Sequence, residues 1–214
     1  MLELWGRANA YNVLKPLWLL AELDLEFRHY DVGSNPGELD TPEFLALNPH
    51  ARVPVLRDGD AVIWESHTLL RYLANRFEAQ DIYPREAYAR SLVERWMDWG
   101  HTALQPAFMD LFWGYYRKPP EMRDADAIED ARQRCRHCFQ ALDMRLAEVP
   151  FLAGADFSLA DIACGVSLYR YFNIGLDVEQ PPQVMHWYER LSQREPFRNT
   201  IMQPFDELAG RTEY

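Results

Sequence analysis

The chain has 214 residues, of which 48% are hydrophobic and 26% charged, and it carries a formal net charge of −11. That length and apolar content suffice for two small domains, each with its own core. A negative field of this size repels a phosphate backbone, which disfavours nucleic-acid binding as a main function.

The first residues, Met1 to Arg7, show no basic stretch followed by an apolar core, so no secretory leader is expected. No apolar run approaches the roughly 18 residues of a membrane span. The three cysteines make no disulfide framework in a chain of this size. The expectation is a cytoplasmic protein that neither binds nucleic acid nor enters a membrane.

Leu2 to Trp5 reads as a first strand and Gly6 to Tyr11 as the turn out of it. From Asn12, apolar residues at Val13, Leu17, Leu20 and Ala21 form a helical stripe widened by Leu14 and Trp18, with Pro16 in its early turns. Glu26 to Val32 alternates charged and bulky residues as a second strand, parallel to the first by the strand-helix-strand order. After a polar loop, Thr41-Pro42-Glu43 starts a short helix that Asn48-Pro49 breaks. Val53, Val55 and Leu56 around Pro54 form a third strand, Asp58-Gly59 a two-residue hairpin turn, and Ala61 to Trp64 the return strand. Leu69, Leu70, Leu73, Ala74 and Phe77 then recur at helical spacing from near Ser66. The resulting β-α-β-α-β-β-α order is a thioredoxin-like layout, which fixes no function by itself.

Residues 79–85, AQDIYPR, have the polarity and proline of a linker, and everything after them reads as helix. Leu92, Trp96, Trp99 and Ala103 share a face of a long segment that runs toward Tyr116 and ends at Lys118-Pro119-Pro120. Ala127 to Glu148 is a second long helix and Val184 to Arg194 an amphipathic one, with a tail from Pro196. Arg132, Arg134 and Arg136 read as a solvated helix face. Cys135-Arg136-His137-Cys138 has redox or metal spacing, but it lies inside a helical run and finds no partners for zinc, so the cysteines read as packing.

Two features of the hairpin region point to a ligand. Pro54 cannot donate to a ladder, and a cis Val53–Pro54 bond would leave the Val53 N–H and C=O free to pair with an extended peptide. Glu65-Ser66 falls where strand passes into helix; open N–H groups at a helix start, with a serine hydroxyl, make a seat for a carboxylate. Together they suit a small acidic peptide.

Val53-Pro54 followed by Glu65-Ser66 resembles the glutathione-binding half of the cytosolic glutathione transferases, in their bacterial theta- or nu-like form. Phe157-Ser158-Leu159-Ala160-Asp161-Ile162 is similar to the N-capping box and hydrophobic staple of that family's second domain, with Asp161 where Glu or Gln is usual. The resemblance covers most of residues 1–77, the capping motif and the helical pattern after the linker. It implies an α/β thioredoxin-like N-terminal domain, residues 1–78, followed by an all-α C-terminal domain, residues 87–214. It also implies glutathione as co-substrate, no metal, a small hydrophobic electrophile as second substrate, and a homodimer. By the same resemblance Val53, before the cis Pro54, pairs with the cysteinyl backbone. Glu65 and Ser66 hold the γ-glutamyl end, and Arg52, or less favourably His50, meets the glycyl carboxylate.

The chain departs from the family where the chemistry is done. Such enzymes make the glutathione sulfur a thiolate by means of a positioned donor. In serine-type members that hydroxyl lies about five residues before a basic residue of the first helix, which from Lys15 falls on Ala10, and alanine has nothing to donate. Asn12 ranks first as replacement, since Ala10 to Lys15 is similar to the Thr-x-Asn-x-x-Lys pattern of nu-like members with the threonine lost; for Asn12 the alternative is a helix N-cap. Tyr11 ranks second and Arg7 third. No cysteine lies in this loop, so beta- or omega-type mixed-disulfide chemistry is not expected. Phe108, Phe112, Trp113, Tyr115 and Tyr116 are candidates for an aromatic electrophile pocket, with core packing as the alternative. Two functions stay open: a glutathione transferase, conjugating or reducing an electrophile, and a non-catalytic interaction protein on the same scaffold, which Ala10 keeps in play.

Overall fold

The computed structural model describes residues 1–212, which form two compact units, Met1–Ala79 and Gln80–Thr212. The first unit runs β1 (Leu2–Trp5), α1 (Tyr11–Glu22), β2 (Phe27–Tyr30), α2 (Pro42–Leu47), β3 (Val55–Asp58), β4 (Ala61–Trp64) and α3 (Ser66–Arg76). The strands form one sheet in the order β2-β1-β3-β4, with β1 and β2 parallel and the other pairs antiparallel.

Alternation along β1 divides the two faces. Leu2 and Leu4 are buried, whereas Glu3 and Trp5 are half-exposed. On that outer face Trp5 stacks on Tyr30 with ring centroids 4.6 Å apart, and Glu3 accepts from the Tyr30 hydroxyl at 2.7 Å and from Arg57 Nε at 2.6 Å. Val13, Trp18, Leu19 and Leu20 of α1, and Leu69, Leu70 and Leu73 of α3, are buried in the core of this unit. Gly6, at φ +143°, is required where β1 turns into α1: a Cβ there would lie 2.5 Å from Val13 Cγ2.

Two details differ from the sequence reading. Asp58 pairs with Ala61, so the hairpin turn is Gly59-Asp60, with Gly59 at φ +59° supplying the left-handed residue. The helix α1 begins at Tyr11 with Ala10 as its N-cap, so Asn12 is the second helical residue and not the cap. Thr41 caps α2 as expected, accepting from the Phe44 N–H at 3.2 Å ahead of Pro42 at the first helical position.

The second unit is helical: α4 (Ala87–Trp99), a π-helical turn (Gly100–Leu104), α5 (Gln105–Leu111), a second π-helical turn (Phe112–Arg117), α6 (Ala125–Leu146), α7 (Leu159–Gly165), α8 (Leu168–Phe172), α9 (Pro182–Ser192) and α10 (Glu195–Thr200). The long segment expected from the sequence is thus continuous to Arg117, but it is loosened twice. Gly100 permits close approach of α7, since a Cβ would meet Cys164 Sγ at 2.8 Å. The expected tail is not one: residues from Glu195 form α10, and Phe197, Phe205 and Leu208 are buried.

The capping box forms around Asp161, which is fully buried. Its Oδ2 accepts from the Ser158 N–H at 2.9 Å and the Ser158 hydroxyl at 3.1 Å. Its Oδ1 accepts from the Leu152 N–H at 3.0 Å and from Trp187 Nε1 at 3.1 Å. Burial pushes its pKa up to about 6 against these bonds, which favour the charged form.

Among the described residues no helix is long and apolar enough to cross a membrane, and no three His, Cys, Asp or Glu side chains group in a way that would hold a metal ion.

Candidate functional site

The sequence-predicted binding residues of the first unit lie just before β3 and at the start of α3, and the donor candidates Tyr11 and Asn12 at the start of α1. Val53–Pro54 is a cis peptide bond. Val53 lies outside β3, and among the described residues its N–H and C=O form no hydrogen bond, so one backbone donor and one acceptor stand ready for an extended ligand. The loop before it is held from within: buried Asn48 donates from Nδ2 to the Arg52 carbonyl at 2.8 Å and accepts from the His50 N–H at 3.1 Å. Arg52 is exposed and forms no ion pair among the described residues, which leaves a guanidinium free for a carboxylate. His50 packs edge-on against Trp64 with centroids 5.1 Å apart.

Glu65 occupies φ 71°, ψ 117°, a conformation that costs a non-glycine residue about 1–3 kcal/mol. Its exposed side chain caps none of the N–H groups of α3. The positive end of that helix therefore opens beside Ser66, which is 5% exposed. A carboxylate seated there gains the helix-end field and the serine hydroxyl together.

Asn12 meets Ser66 across the fold, with Ser66 Oγ 3.5 Å from Asn12 Oδ1. The same oxygen accepts from Lys15 Nζ at 3.1 Å, and Lys15 is also 3.0 Å from His67 Nε2. Lys15 is fully buried and His67 is 8% exposed. Asn12 Nδ2 forms no hydrogen bond within the described protein. Tyr11 is buried, with its ring centroid 5.2 Å from Lys15 Nζ. Arg7 donates to the Gly33 carbonyl at 2.7 Å, which ties it to the loop before α2. That loop is itself gathered by Glu38, whose carboxylate accepts from Asn35 Nδ2 at 2.5 Å and from the Gly33 and Ser34 N–H groups at 2.7 and 3.0 Å. These bonds, the Asn35 side chain's first, hold its pKa down at about 2. Ala10 is buried at the start of α1, where its methyl group offers no donor.

In the second unit the aromatic candidates separate by burial. Phe108 and Phe112 are interior, 5.7 Å apart, whereas Trp113, Tyr115 and Tyr116 are half-exposed. Tyr116 stacks on Phe112 at 5.2 Å and packs against Phe205 at 4.9 Å. Arg170 brings its guanidinium to 5.6 Å from the Phe112 ring. Lys15, His67, Phe205 and Arg170 had no place among the sequence candidates. Only Lys15 left a signal, as a basic residue three positions after Asn12 on one helix face.

All three cysteines are free and buried. Burial pushes the Cys135 thiol up to about 12 and raises Cys138 too, so neither is a ready nucleophile. The arginines of α6 are paired, Arg132 with Glu129, Arg134 with Asp110 and Asp130, and Arg136 with Glu179. They make no open basic patch.

Comparison with known proteins gives the family. The family profile of the glutathione S-transferase N-terminal domain matches residues 1–75, and that of the C-terminal domain residues 125–190. The chain is 37% identical over 206 residues to glutathione S-transferase GstB of Escherichia coli K12, covering 95% of this chain and 99% of that protein. It is 30% identical to glutathione S-transferase 3 of Zea mays, covering 94% and 93%. Among solved structures, the theta class glutathione S-transferase of Xanthomonas axonopodis pv. citri with glutathione bound superposes with a TM-score of 0.90 at 36% identity, covering 95% of this chain and 98% of that one. The uncapped start of α3, the unpaired backbone of Val53 and these full-length likenesses agree: the chain belongs to the glutathione S-transferase family.

Proposed function

We propose that the first unit seats glutathione along Val53 and the start of α3 and that Asn12 Nδ2 donates to its thiolate in place of the missing hydroxyl at Ala10. Val53 pairs with the cysteinyl backbone next to Pro54. Ser66, Glu65 and the α3 N-terminus take the γ-glutamyl carboxylate and amine, and Arg52 takes the glycyl carboxylate. The sulfur then attacks a small hydrophobic electrophile; a carbon–sulfur bond forms, the leaving group departs, and the thiol proton has already gone to solvent. Trp113 and Tyr116, the half-exposed members of the aromatic group with Phe108 and Phe112 behind them, are the candidate contacts of that electrophile. The cytoplasm as compartment and a homodimer as assembly belong to the same reading.

The observation that carries the proposal is the meeting of Asn12 and Ser66, which holds the carboxamide beside the carboxylate seat with its oxygen toward the Ser66 hydroxyl and its Nδ2 unengaged. Tyr11 ranks below Asn12 because it is buried, whereas Asn12 is half-exposed. Calorimetric titration with glutathione tests the reading: a dissociation constant in the micromolar to low millimolar range is expected. No heat and no competition at millimolar glutathione would favour a non-catalytic role for the scaffold.

A further inference from the structure

We infer that Lys15 is a positioning residue for the thiolate: it fixes the Asn12 carboxamide with Nδ2 turned outward and strengthens that N–H as a donor. The inference rests on Asn12 being the thiolate's donor.

A lysine ammonium carries donors only. Whatever atom of Asn12 lies 3.1 Å from Lys15 Nζ must accept, so it is the carbonyl oxygen. The flipped carboxamide would set donor against donor at a fully buried Lys15, whose ammonium would lose a partner inside the fold. Ser66 Oγ lies 3.5 Å from the same oxygen and, as a hydroxyl that both donates and accepts, is compatible with this orientation without deciding it. Nδ2 is thereby left for an acceptor from outside the chain. The same reasoning assigns His67: at 3.0 Å from a donor-only group, its Nε2 accepts, so the imidazole is neutral with its proton on Nδ1.

Orientation is one effect and polarisation the other. A charge-assisted bond to the amide oxygen draws electron density away from nitrogen, and in a site of low dielectric this sharpens the N–H as a donor. A neutral carboxamide is a modest thiolate stabiliser by itself, and the lysine behind it supplies what the amide lacks. The titratable neighbours of Lys15 include Tyr11 on the same helix, with its ring centroid at 5.2 Å, and His67 from α3. An apolar side chain of similar length fits the same space without the cost of burying a charge, so what the amine adds is its hydrogen bonds.

The test is a double-mutant cycle read by the pH dependence of thiolate absorbance in the glutathione complex, at saturating glutathione, for the parent, Asn12→Ala, Lys15→Met and the double variant. Each single variant should raise the pKa of the bound thiol by about one unit. The double variant should rise no further than Asn12→Ala, because Lys15 acts through the carboxamide. Glutathione affinity should stay within about threefold of the parent. If Lys15→Met does not fold, Lys15→Gln, a shorter and neutral donor, takes its place, with a smaller rise expected. A rise in Asn12→Ala with none in the Lys15 variant overturns the positioning role and leaves the donor reading intact. A Lys15 effect that persists undiminished in the Asn12→Ala background means that the cation acts directly on the sulfur, which also overturns it. No rise in Asn12→Ala removes the donor reading and this inference with it.

Discussion

Each unit holds a polar cluster drawn from distant parts of its sequence, and the two are finished to different degrees. Around Asp161 both carboxylate oxygens accept twice, from the α7 start, from the turn at Leu152 and from Trp187 on α9. Around Asn12 the carbonyl side is engaged by Lys15 and Ser66, while Nδ2, the Val53 N–H and C=O, and the start of α3 are left over. A buried cluster with every group satisfied ties the fold together. Groups left over at a half-exposed edge, beside a strained Glu65, are what a ligand completes. The difference is the one expected between a structural motif and the binding motif proposed above.

Removing Asp161 is the harshest way to probe that distinction. Asp161→Ala leaves the Leu152 N–H, the Ser158 N–H and the Trp187 indole N–H without their acceptor inside a dry core. The loss should be about 3–5 kcal/mol, well beyond the ~1 kcal/mol of a surface cap. Denaturant midpoints measure it, and glutathione affinity per folded molecule should be unchanged. A loss below about 1 kcal/mol would mean that the cluster is no more than a helix cap.

Ser66→Ala should do the opposite. Its hydroxyl has one long contact within the protein, so stability should move by less than about 0.5 kcal/mol. Glutathione binding should weaken by about 1–2 kcal/mol, as losing a bond to a charged group does. Calorimetry on the folded variant decides it; an unchanged affinity removes Ser66 from the seat.

The fold was readable from local rules almost to the residue where those rules act alone. Thr41-Pro42 started α2, Ser158 and Asp161 closed a capping box, and the change from strand to helix fell at Ser66. Turn chemistry placed the hairpin one residue early, because Asp58-Gly59 and Gly59-Asp60 both offer a left-handed glycine. Tertiary pairings escaped altogether. Nothing in the sequence joins Lys15 to His67 or Trp187 to Asp161, since such meetings follow from how helices pack and not from spacing along one element. The cis Val53–Pro54 bond and the helix start at Ser66 were therefore legible, while the network behind Asn12 needed the fold.

Two carboxylates offer a finer contrast through pH. Glu38 is held at about 2 against an ordinary value of 4.5, so its stabilisation of the loop is present above about pH 4.5 and lost as pH falls toward 2. Asp161 is raised to about 6 from 3.8, so its contribution is fully present below about pH 4 and declines as pH rises toward 6. Hydrogen exchange, corrected for its intrinsic pH dependence, should show protection at the Gly33 and Ser34 amides fading on the acid side. Protection at the Leu152 and Ser158 amides should instead ease between about pH 4 and pH 6. Parallel profiles at the two sites would overturn the opposed assignments.

The smallest expected effect is at the cysteines, and it bears on which unit does the chemistry. Cys135 and Cys164 are fully buried and Cys138 is 6% exposed. With its pKa pushed up to about 12, the Cys135 thiol has almost no thiolate at neutral pH, and attack on a disulfide reagent needs the thiolate and access together. Modification in the folded protein should therefore run at the rate at which the helices open, far below that of the denatured chain, and slow further when stability is raised. Turnover of glutathione with an electrophile should be retained within about twofold in Cys135→Ala, Cys138→Ala and Cys164→Ala variants, with Cys164→Ala the one to show a modest stability loss, because its sulfur fills the space against Gly100 and reaches the Trp96 carbonyl at 3.4 Å. A folded variant without turnover would place a catalytic thiol in the second unit and break the division between the two clusters.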